Sequence, residues 1–328
     1  MGTMRAGRIV GSGRVECEEV DVKAPGDGEL LVRTMYGSIC GSDLHIAYPG
    51  DPVEVTGPPG FPGHEGVGEV VESNSPEFAP GDRVLCVPNA AIGMTFAEYQ
   101  AIPARYCIPL PESDLSELEL LMAQQLGTVI FAQRRRPVDV TGKNVVVLGQ
   151  GSAGLFHAFL ARRWGAAQII TSDLSPARLA YSKAAVADVA IDASQGADHV
   201  RQQVMDHTRG RGGDYVIEAV GVKETLALSI QVAAPHGDVL WFGLPDTRKE
   251  VPISFSQFFR KQLTASTAVG AQEEPGLVSF RAALDLITAG AIDMKPLVSH
   301  VLPVEKITDA FQLAYTRDDG ALKVSVSF

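Results

Sequence analysis

At 328 residues the chain is too long for one ordinary domain and about right for two. Apolar residues make up 45% and charged residues 20%, and 28 Lys and Arg against 39 Asp and Glu give a net charge of −11. That balance argues against a nucleic-acid partner, because neutralising phosphates takes clustered Lys and Arg, and no apolar run approaches the roughly 18 residues that would span a bilayer.

The one basic cluster, Arg134-Arg135-Arg136, reads as a solvated helix end. The first residues, Met1-Gly2-Thr3-Met4-Arg5-Ala6, lack the apolar core of a signal peptide. Cysteines stand at 17, 40, 86 and 107, with no Cys-x-x-Cys pair. Four in a chain this long make no disulfide scaffold, so the expectation is a cytoplasmic protein with reduced thiols. The 33 Gly and 20 Pro indicate tight turns rather than disorder, since apolar content stays high throughout.

In chain order, residues 1–120 read as short extended runs broken by Gly and Pro. Examples are Glu29-Leu-Leu-Val-Arg-Thr-Met, Gly66-Val-Gly-Glu-Val-Val-Glu and Asp82-Arg-Val-Leu-Cys-Val-Pro. Val-rich alternation between turn residues predicts strands, and no long helical period appears here. From about 113 to 134 the pattern becomes helical, opening on capping residues. Residues 143–268 then alternate regularly. Strands are predicted at Asn144-Val-Val-Val-Leu, Gln168-Ile-Ile-Thr-Ser, Ala187-Asp-Val-Ala-Ile, Asp214-Tyr-Val-Ile-Glu, Val239-Leu-Trp-Phe and Leu263-Thr-Ala-Ser-Thr. Helices are predicted over 153–164 and from Pro176, a residue favoured at the first helical position. Buried strands alternating with helices predict a doubly wound parallel sheet. Two more helices, near 276–289 and 304–316, and a last strand, Leu322-Lys-Val-Ser-Val, complete the chain and are expected to pack back on its first part.

Gly149-Gln-Gly-Ser-Ala-Gly is G-x-G-x-x-G, weak by itself but placed here between a predicted strand and a predicted helix. Gly149 permits the tight turn and Gly151 a close approach of backbone to a pyrophosphate. Gly154 permits close helix–strand packing, and Ser152 and Ala153 open the helix whose N-terminus faces the anion. Asp173 follows 19 residues after Gly154, at a strand end where a carboxylate accepts hydrogen bonds from both ribose hydroxyls. A 2′-phosphate there would meet a like charge, a repulsion of about 1–4 kcal/mol at an effective dielectric near 20. NAD is therefore expected over NADP. A purely structural Gly-rich turn and a strand-end cap remain the alternatives for the motif and for Asp173.

The second cluster is Cys40-Gly-Ser-Asp-Leu-His with Gly63-His-Glu-Gly. Thiolate, imidazole and carboxylate are the ligands of a catalytic zinc, which acts as a Lewis acid on a substrate oxygen. Ser42 and His45 supply the hydroxyl and imidazole through which an alcohol proton could leave. A lone Cys is usually a small core residue and a lone His a cap or filler. It is their combination beside a dinucleotide motif that points to Cys40, His64 and Glu65 as metal ligands.

Together, Gly37-Ser-Ile-Cys-Gly-Ser-Asp-Leu-His, Pro62-Gly-His-Glu-Gly-Val-Gly-Glu-Val-Val, Pro80-Gly-Asp-Arg-Val, Phe96-Ala-Glu-Tyr, Gly149-Gln-Gly-Ser-Ala-Gly and Asp214-Tyr-Val-Ile-Glu-Ala-Val-Gly resemble, in order, the zinc-dependent alcohol and polyol branch of the medium-chain dehydrogenase/reductase superfamily. The resemblance covers nearly the whole chain. It implies an α/β protein with a Rossmann doubly wound parallel-sheet domain at 126–270. A GroES-like β-barrel catalytic domain, split in sequence, would take 1–125 and 271–328, with the active site in the cleft between the two. The implied activity is NAD-dependent oxidation of a secondary alcohol of a polyol, sugar or cyclitol kind to its ketone, in a homodimer or homotetramer.

By position the resemblance makes Cys40 and His64 zinc ligands, Glu65 a ligand or an exchangeable near-ligand, and Ser42 and His45 the proton relay. Asp43 would orient His64. Thr128 falls near the nicotinamide and Arg178 near the ribose, Val220 is a further cofactor-binding position, and Lys323 matches a basic residue that can reach the pyrophosphate. Arg178 and Lys323 fit solvated surface charges equally well. Tyr48, Asn89 and Ala90 would face the substrate.

The chain departs from the family pattern twice. The four closely spaced cysteines of a structural zinc are missing after Asp82-Arg-Val, so one zinc per chain is expected. The remaining ligand position aligns with Gln124, a poorer ligand than thiolate or carboxylate, so either Gln124 or Glu65 completes the shell. Cys17, Cys86 and Cys107 read as inert, and His157, His199, His207, His236 and His300 show no partner pattern. A zinc-free reductase of activated double bonds or quinones and a catalytically silent dinucleotide-binding protein are the rival readings.

Overall fold

The computed structural model describes residues 2–49, 57–245 and 250–328. They form two compact units, one of residues 1–130 with 270–328 and one of residues 131–269.

The first unit opens with an antiparallel hairpin, β1 (Thr3–Gly11) and β2 (Arg14–Asp21). There follow β3 (Glu29–Ser38), a short helix α1 (Gly41–Ala47), β4 (Gly66–Ser73), β5 (Arg83–Cys86), β6 (Tyr99–Pro103) and β7 (Cys107–Pro109). The helical stretch expected over 113–134 is two helices, α2 (Glu117–Leu121) and α3 (Ala123–Arg135). At the break, the Met122 N–H donates to the Glu119 carbonyl, a tight turn that re-aims the chain. Helix α1 departs from the extended reading of this region. Seven residues are too few to show a 3.6-residue period. The Asp43 carboxylate, accepting from the Cys40 N–H at 2.9 Å, nucleates the turn as a capping interaction.

The second unit alternates strictly: β8 (Asn144–Leu148), α4 (Ser152–Arg163), β9 (Gln168–Asp173), α5 (Pro176–Ala185), β10 (Val189–Asp192), α6 (Ala197–His207), β11 (Gly213–Glu218), α7 (Lys223–Val232), β12 (Ala233–Trp241), α8 (Phe255–Lys261) and β13 (Thr264–Thr267). All its strand pairs are parallel, in the order β10-β9-β8-β11-β12-β13. Val145–Leu148 and Val216–Ile217 are fully buried because helices cover both faces, which is why these strands read as unbroken apolar runs. The order reverses beside β8, so the loop after β8 sits at the crevice where doubly wound sheets bind ligands.

The chain then returns to the first unit with α9 (Val278–Thr288), β14 (Val298–Pro303), α10 (Ile307–Thr316) and β15 (Lys323–Ser327). The last strand inserts between β14 and β3, giving the order β14-β15-β3-β4-β5-β7, with β6 also on β3. Phe96, Ile307, Phe311, Val324 and Val326 form a core under it. Chain ends far apart in sequence thus share one sheet.

Candidate functional site

Strands β3 and β4 bring the first cluster together. They pair with Gly37 opposite Gly66, and the Ser38 N–H donates to the Glu65 carbonyl at 2.9 Å. Cys40, just past the end of β3, and His64-Glu65, just before β4, therefore meet at one end of the sheet. One donor atom from each of Cys40, His64 and Glu65 lies within 4.8 Å of the other two. His64 and Glu65 are buried. His64 Nδ1 faces two acceptors, Asp43 Oδ1 at 3.0 Å and the Pro62 carbonyl at 3.1 Å. Both acceptors want the Nδ1 proton, so a metal that displaces any proton on Nε2 would find that nitrogen's lone pair. Burial works against a charged His64, but Asp43 and then Cys40 outweigh it and hold its pKa well above the ordinary range. Glu65 Oε1 is buried with no hydrogen-bond partner. A buried carboxylate oxygen without a partner, in one cluster with a thiol and an imidazole, is a donor set that fits a zinc ion.

Ser42 Oγ lies 3.3 Å from His64 Nε2. His45 is three residues on, on the same face of α1, and is exposed. The pair therefore runs from the buried cluster toward solvent. Gln124 turns its amide nitrogen to the His64 carbonyl at 3.4 Å, and Thr128 donates to the Gln124 carbonyl one helical turn back. Lys323 lies where the sequence does not suggest. It is 3% exposed, with its ammonium 2.5 Å from Glu65 Oε2 and 3.4 Å from Gln125 Oε1. A solvated surface charge does not describe it, because β15 carries it into the sheet interior.

Two side chains expected to face the substrate have partners of their own. The Asn89 amide is committed to Glu273 Oε1 at 3.0 Å, and the Tyr48 ring stacks on Tyr315 at 4.1 Å. Both side chains are engaged within the first unit.

Sequence reasoning missed a strap over the ligand segment. Thr95 is fully buried in a cradle of glycines. A Cβ on Gly37 would lie 2.5 Å from the Thr95 carbonyl oxygen, one on Gly63 2.5 Å from Thr95 Oγ1, and one on Gly66 2.7 Å from Thr95 Cγ2. A Cβ on Gly93 would collide with the Gly63 carbonyl. Small residues flanking His64-Glu65 were the available signal, but their partner is remote in sequence.

In the second unit, the loop from Gly149 to Gly154 leaves β8 and enters α4 behind Gly151. Gly149 has φ +92°, and a Cβ on Gly154 would run into the Gly149 carbonyl oxygen. Both glycines are therefore required by the backbone. Ser152 and Ala153 form the first turn of α4. Asp173 closes the loop from the end of β9, with Oδ2 accepting from the Gln150 N–H at 2.6 Å and Oδ1 from the Ser175 N–H at 2.8 Å. Its cap role is visible, and each oxygen keeps a further lone pair for a hydroxyl donor. Arg178 Nη1 hangs 3.6 Å from where a Gly151 Cβ would be, and Val220 packs on Gly149. Glu218, also missed, holds the loop bearing Val220: its Oε1 accepts from the N–H groups of Val220 and Gly221 and from the Thr225 hydroxyl.

None of the remaining cysteines belongs to the Cys40–His64–Glu65 cluster, although Cys86 pairs with Gly66, next to Glu65. Cys86 and Cys107 oppose each other on β5 and β7. Their mutual hydrogen bond and then burial hold the Cys107 thiol well up, which makes it inert. Among the described residues no helix is long and apolar enough to cross a membrane.

A sheet in the dinucleotide-binding order and a thiol–imidazole–carboxylate cluster fit a nicotinamide-dependent metallo-dehydrogenase. Comparison with known proteins agrees. The chain matches the zinc-binding dehydrogenase family over residues 153–289 and the alcohol dehydrogenase GroES-like domain over residues 26–112. It is 28% identical over 326 positions to an L-threonine 3-dehydrogenase of Pyrococcus abyssi, covering 91% of each chain. It is 26% identical over 335 positions to a sorbitol dehydrogenase of Ovis aries, covering 93% of this chain and 91% of that one. Among solved structures, the alcohol dehydrogenase TADH of Thermus sp. ATN1 superposes with a TM-score of 0.84 at 27% identity, over 99% of this chain and 100% of that one. The chain belongs to the zinc-dependent medium-chain alcohol and polyol dehydrogenases, and is an oxidoreductase of the alcohol dehydrogenase type.

Proposed function

We propose that the protein oxidises a secondary alcohol of a polyol, sugar, cyclitol or similar metabolite to its ketone with NAD. The observation that carries this reading is the convergence of Cys40, His64 and Glu65 within 4.8 Å, with Glu65 Oε1 left buried and unpartnered. Cys40, His64 and Glu65 would hold one zinc ion, with Gln124 beside His64. When bound, zinc supplies Lewis-acid polarisation of the substrate oxygen.

The chain's own groups do the rest. Asp43 and the Pro62 carbonyl hold His64 in the tautomer that frees Nε2. Ser42 takes the alcohol proton and His45, exposed on the same helix face, passes it to solvent. In the second unit the Gly149–Gly154 loop and the N-terminus of α4 take the pyrophosphate, with Val220 beside the loop. Asp173 takes the ribose hydroxyls, which favours NAD, and Arg178 lies over the loop. The same reading assigns residues 1–125 with 271–328 to the catalytic domain and 126–270 to the cofactor domain. It gives one zinc per chain, since no cluster of four cysteines follows β5, and a cytoplasmic homodimer or homotetramer on the strength of family membership.

The test is zinc content together with reduction of NAD and of NADP over a panel of polyols, sugars and other secondary alcohols. We expect about one zinc per chain and faster turnover with NAD. His64→Ala should abolish oxidation while dinucleotide binding persists. A protein that takes up no metal and transfers no hydride would overturn the reading.

A further inference from the structure

Lys323 and Glu65 are both essentially buried, at 3% and 1% exposure, and the ammonium sits 2.5 Å from Glu65 Oε2. The other carboxylate oxygen, Oε1, has no partner and belongs to the residue that closes the Cys40–His64–Glu65 cluster. One carboxylate thus faces two cation positions, of which the chain itself fills one. We propose that Lys323 sets the metal affinity of this site by sharing Glu65 with the metal, Oε2 going to the ammonium and Oε1 to the metal. The proposal rests on the zinc-site reading above and adds to it a residue that holds affinity down.

The physical argument is charge counting in a buried place. Asp43, Glu65 and a Cys40 thiolate bring three negative charges within reach of one ammonium. A divalent cation entering beside Lys323 makes the cluster neutral. Without the metal, Glu65 would be a lone buried carboxylate, which proteins tolerate badly, and Lys323 is its counter-ion. The ammonium therefore steadies the metal-free site and works against the loaded one. It competes for Glu65 and also repels a divalent charge a few ångströms away. At an effective dielectric near 20 that repulsion is worth at least about tenfold in affinity. A lysine whose only task was to neutralise Glu65 and fill the sheet interior would predict the opposite, since its loss would disorder the ligand segment and weaken metal binding.

The experiment measures the zinc affinity of the full chain, stripped of metal and titrated against a chromophoric chelator at fixed pH. The variants are Lys323→Met, Glu65→Gln and the double variant. Lys323→Met should bind zinc at least tenfold more tightly than wild type, and Glu65→Gln at least tenfold more weakly. The double variant should recover at least tenfold over Glu65→Gln alone. Should Lys323→Met fail to fold because Glu65 is left unpaired, the comparison within the Glu65→Gln background carries the test, since no buried carboxylate then needs a partner. Zinc affinity unchanged or lowered by removing Lys323, in either background, overturns the proposal. A wild-type chain that binds no zinc at all overturns the zinc reading itself, a separate and distinguishable failure.

Discussion

His157 shows what burial does to a single titratable side chain. It lies on α4, fully buried, with Nδ1 accepting from the Gln133 amide at 2.8 Å, while the Gln133 oxygen accepts from the Tyr215 hydroxyl at 3.1 Å. Burial pushes its pKa down to about 3. The folded chain keeps His157 neutral where the unfolded chain, with an ordinary value near 6.5, binds a proton. Its contribution to stability is therefore complete above about pH 6.5 and is lost as the pH falls toward 3. Between pH 7.5 and 5 this one group should cost about 2 kcal/mol. In denaturant titrations across that range, His157→Gln should start less stable at pH 7.5 and fall less steeply with acid. A slope equal to that of wild type would show that His157 does not carry the effect. At the same scale, the sequence singled out Cys40, Ser42, His45, His64, Glu65 and Asp173 because their residue types and spacings are chemical. It could not show that Lys323 is buried against Glu65, since the two residues lie far apart in sequence.

Among the elements, α1 and the strap at 93–96 position the proposed metal ligands. Seven residues of helix carry Ser42 and His45 on one face and Asp43 turned inward, an arrangement that follows from the capping interaction at Cys40 rather than from any periodicity. The strap works through absence of side chains. Gly93 rests on the Gly63 carbonyl, and an added Cβ would also stand 3.2 Å from the His64 Cβ. The obstacle is backbone, which yields little. We expect Gly93→Ala to cost about 1–3 kcal/mol, in the range of an overpacked core site, and to weaken zinc retention. Thermal denaturation and metal content of the purified variant check both. Thr95→Val should behave oppositely: it keeps the shape and removes a buried hydroxyl that has no partner, so stability should hold or rise by up to about 1 kcal/mol. A large loss in Thr95→Val would mean that the hydroxyl, and not the shape, does the work.

On the scale of the whole molecule, every proposed metal ligand lies in the unit formed by residues 1–130 and 270–328, and the dinucleotide loop lies in the other. Metal binding stabilises what it contacts. Stripping zinc with a chelator should therefore speed amide hydrogen exchange around α1, β3, β4 and β15 and leave the β8–β11 core at its original rate. Equal loss of protection in both units would contradict a site built from one of them.

What the sequence determined by itself was the class. The alternation of buried strands and helices, the glycine loop and the Cys-x-Ser-Asp-x-His and Gly-His-Glu segments are local patterns, and local patterns follow from backbone periodicity and side-chain chemistry. Tertiary structure alone decided what surrounds those groups. Folding the last strand between β14 and β3 turned Lys323 into Glu65's counter-ion. Crossing 93–96 over 63–66 packed Thr95 and its glycines against the proposed metal ligands. Burying α4 against the sheet made His157 an acid-sensitive core residue. In each case the deciding contact joins residues far apart in sequence, and its energy comes from excluding water, which no local pattern records.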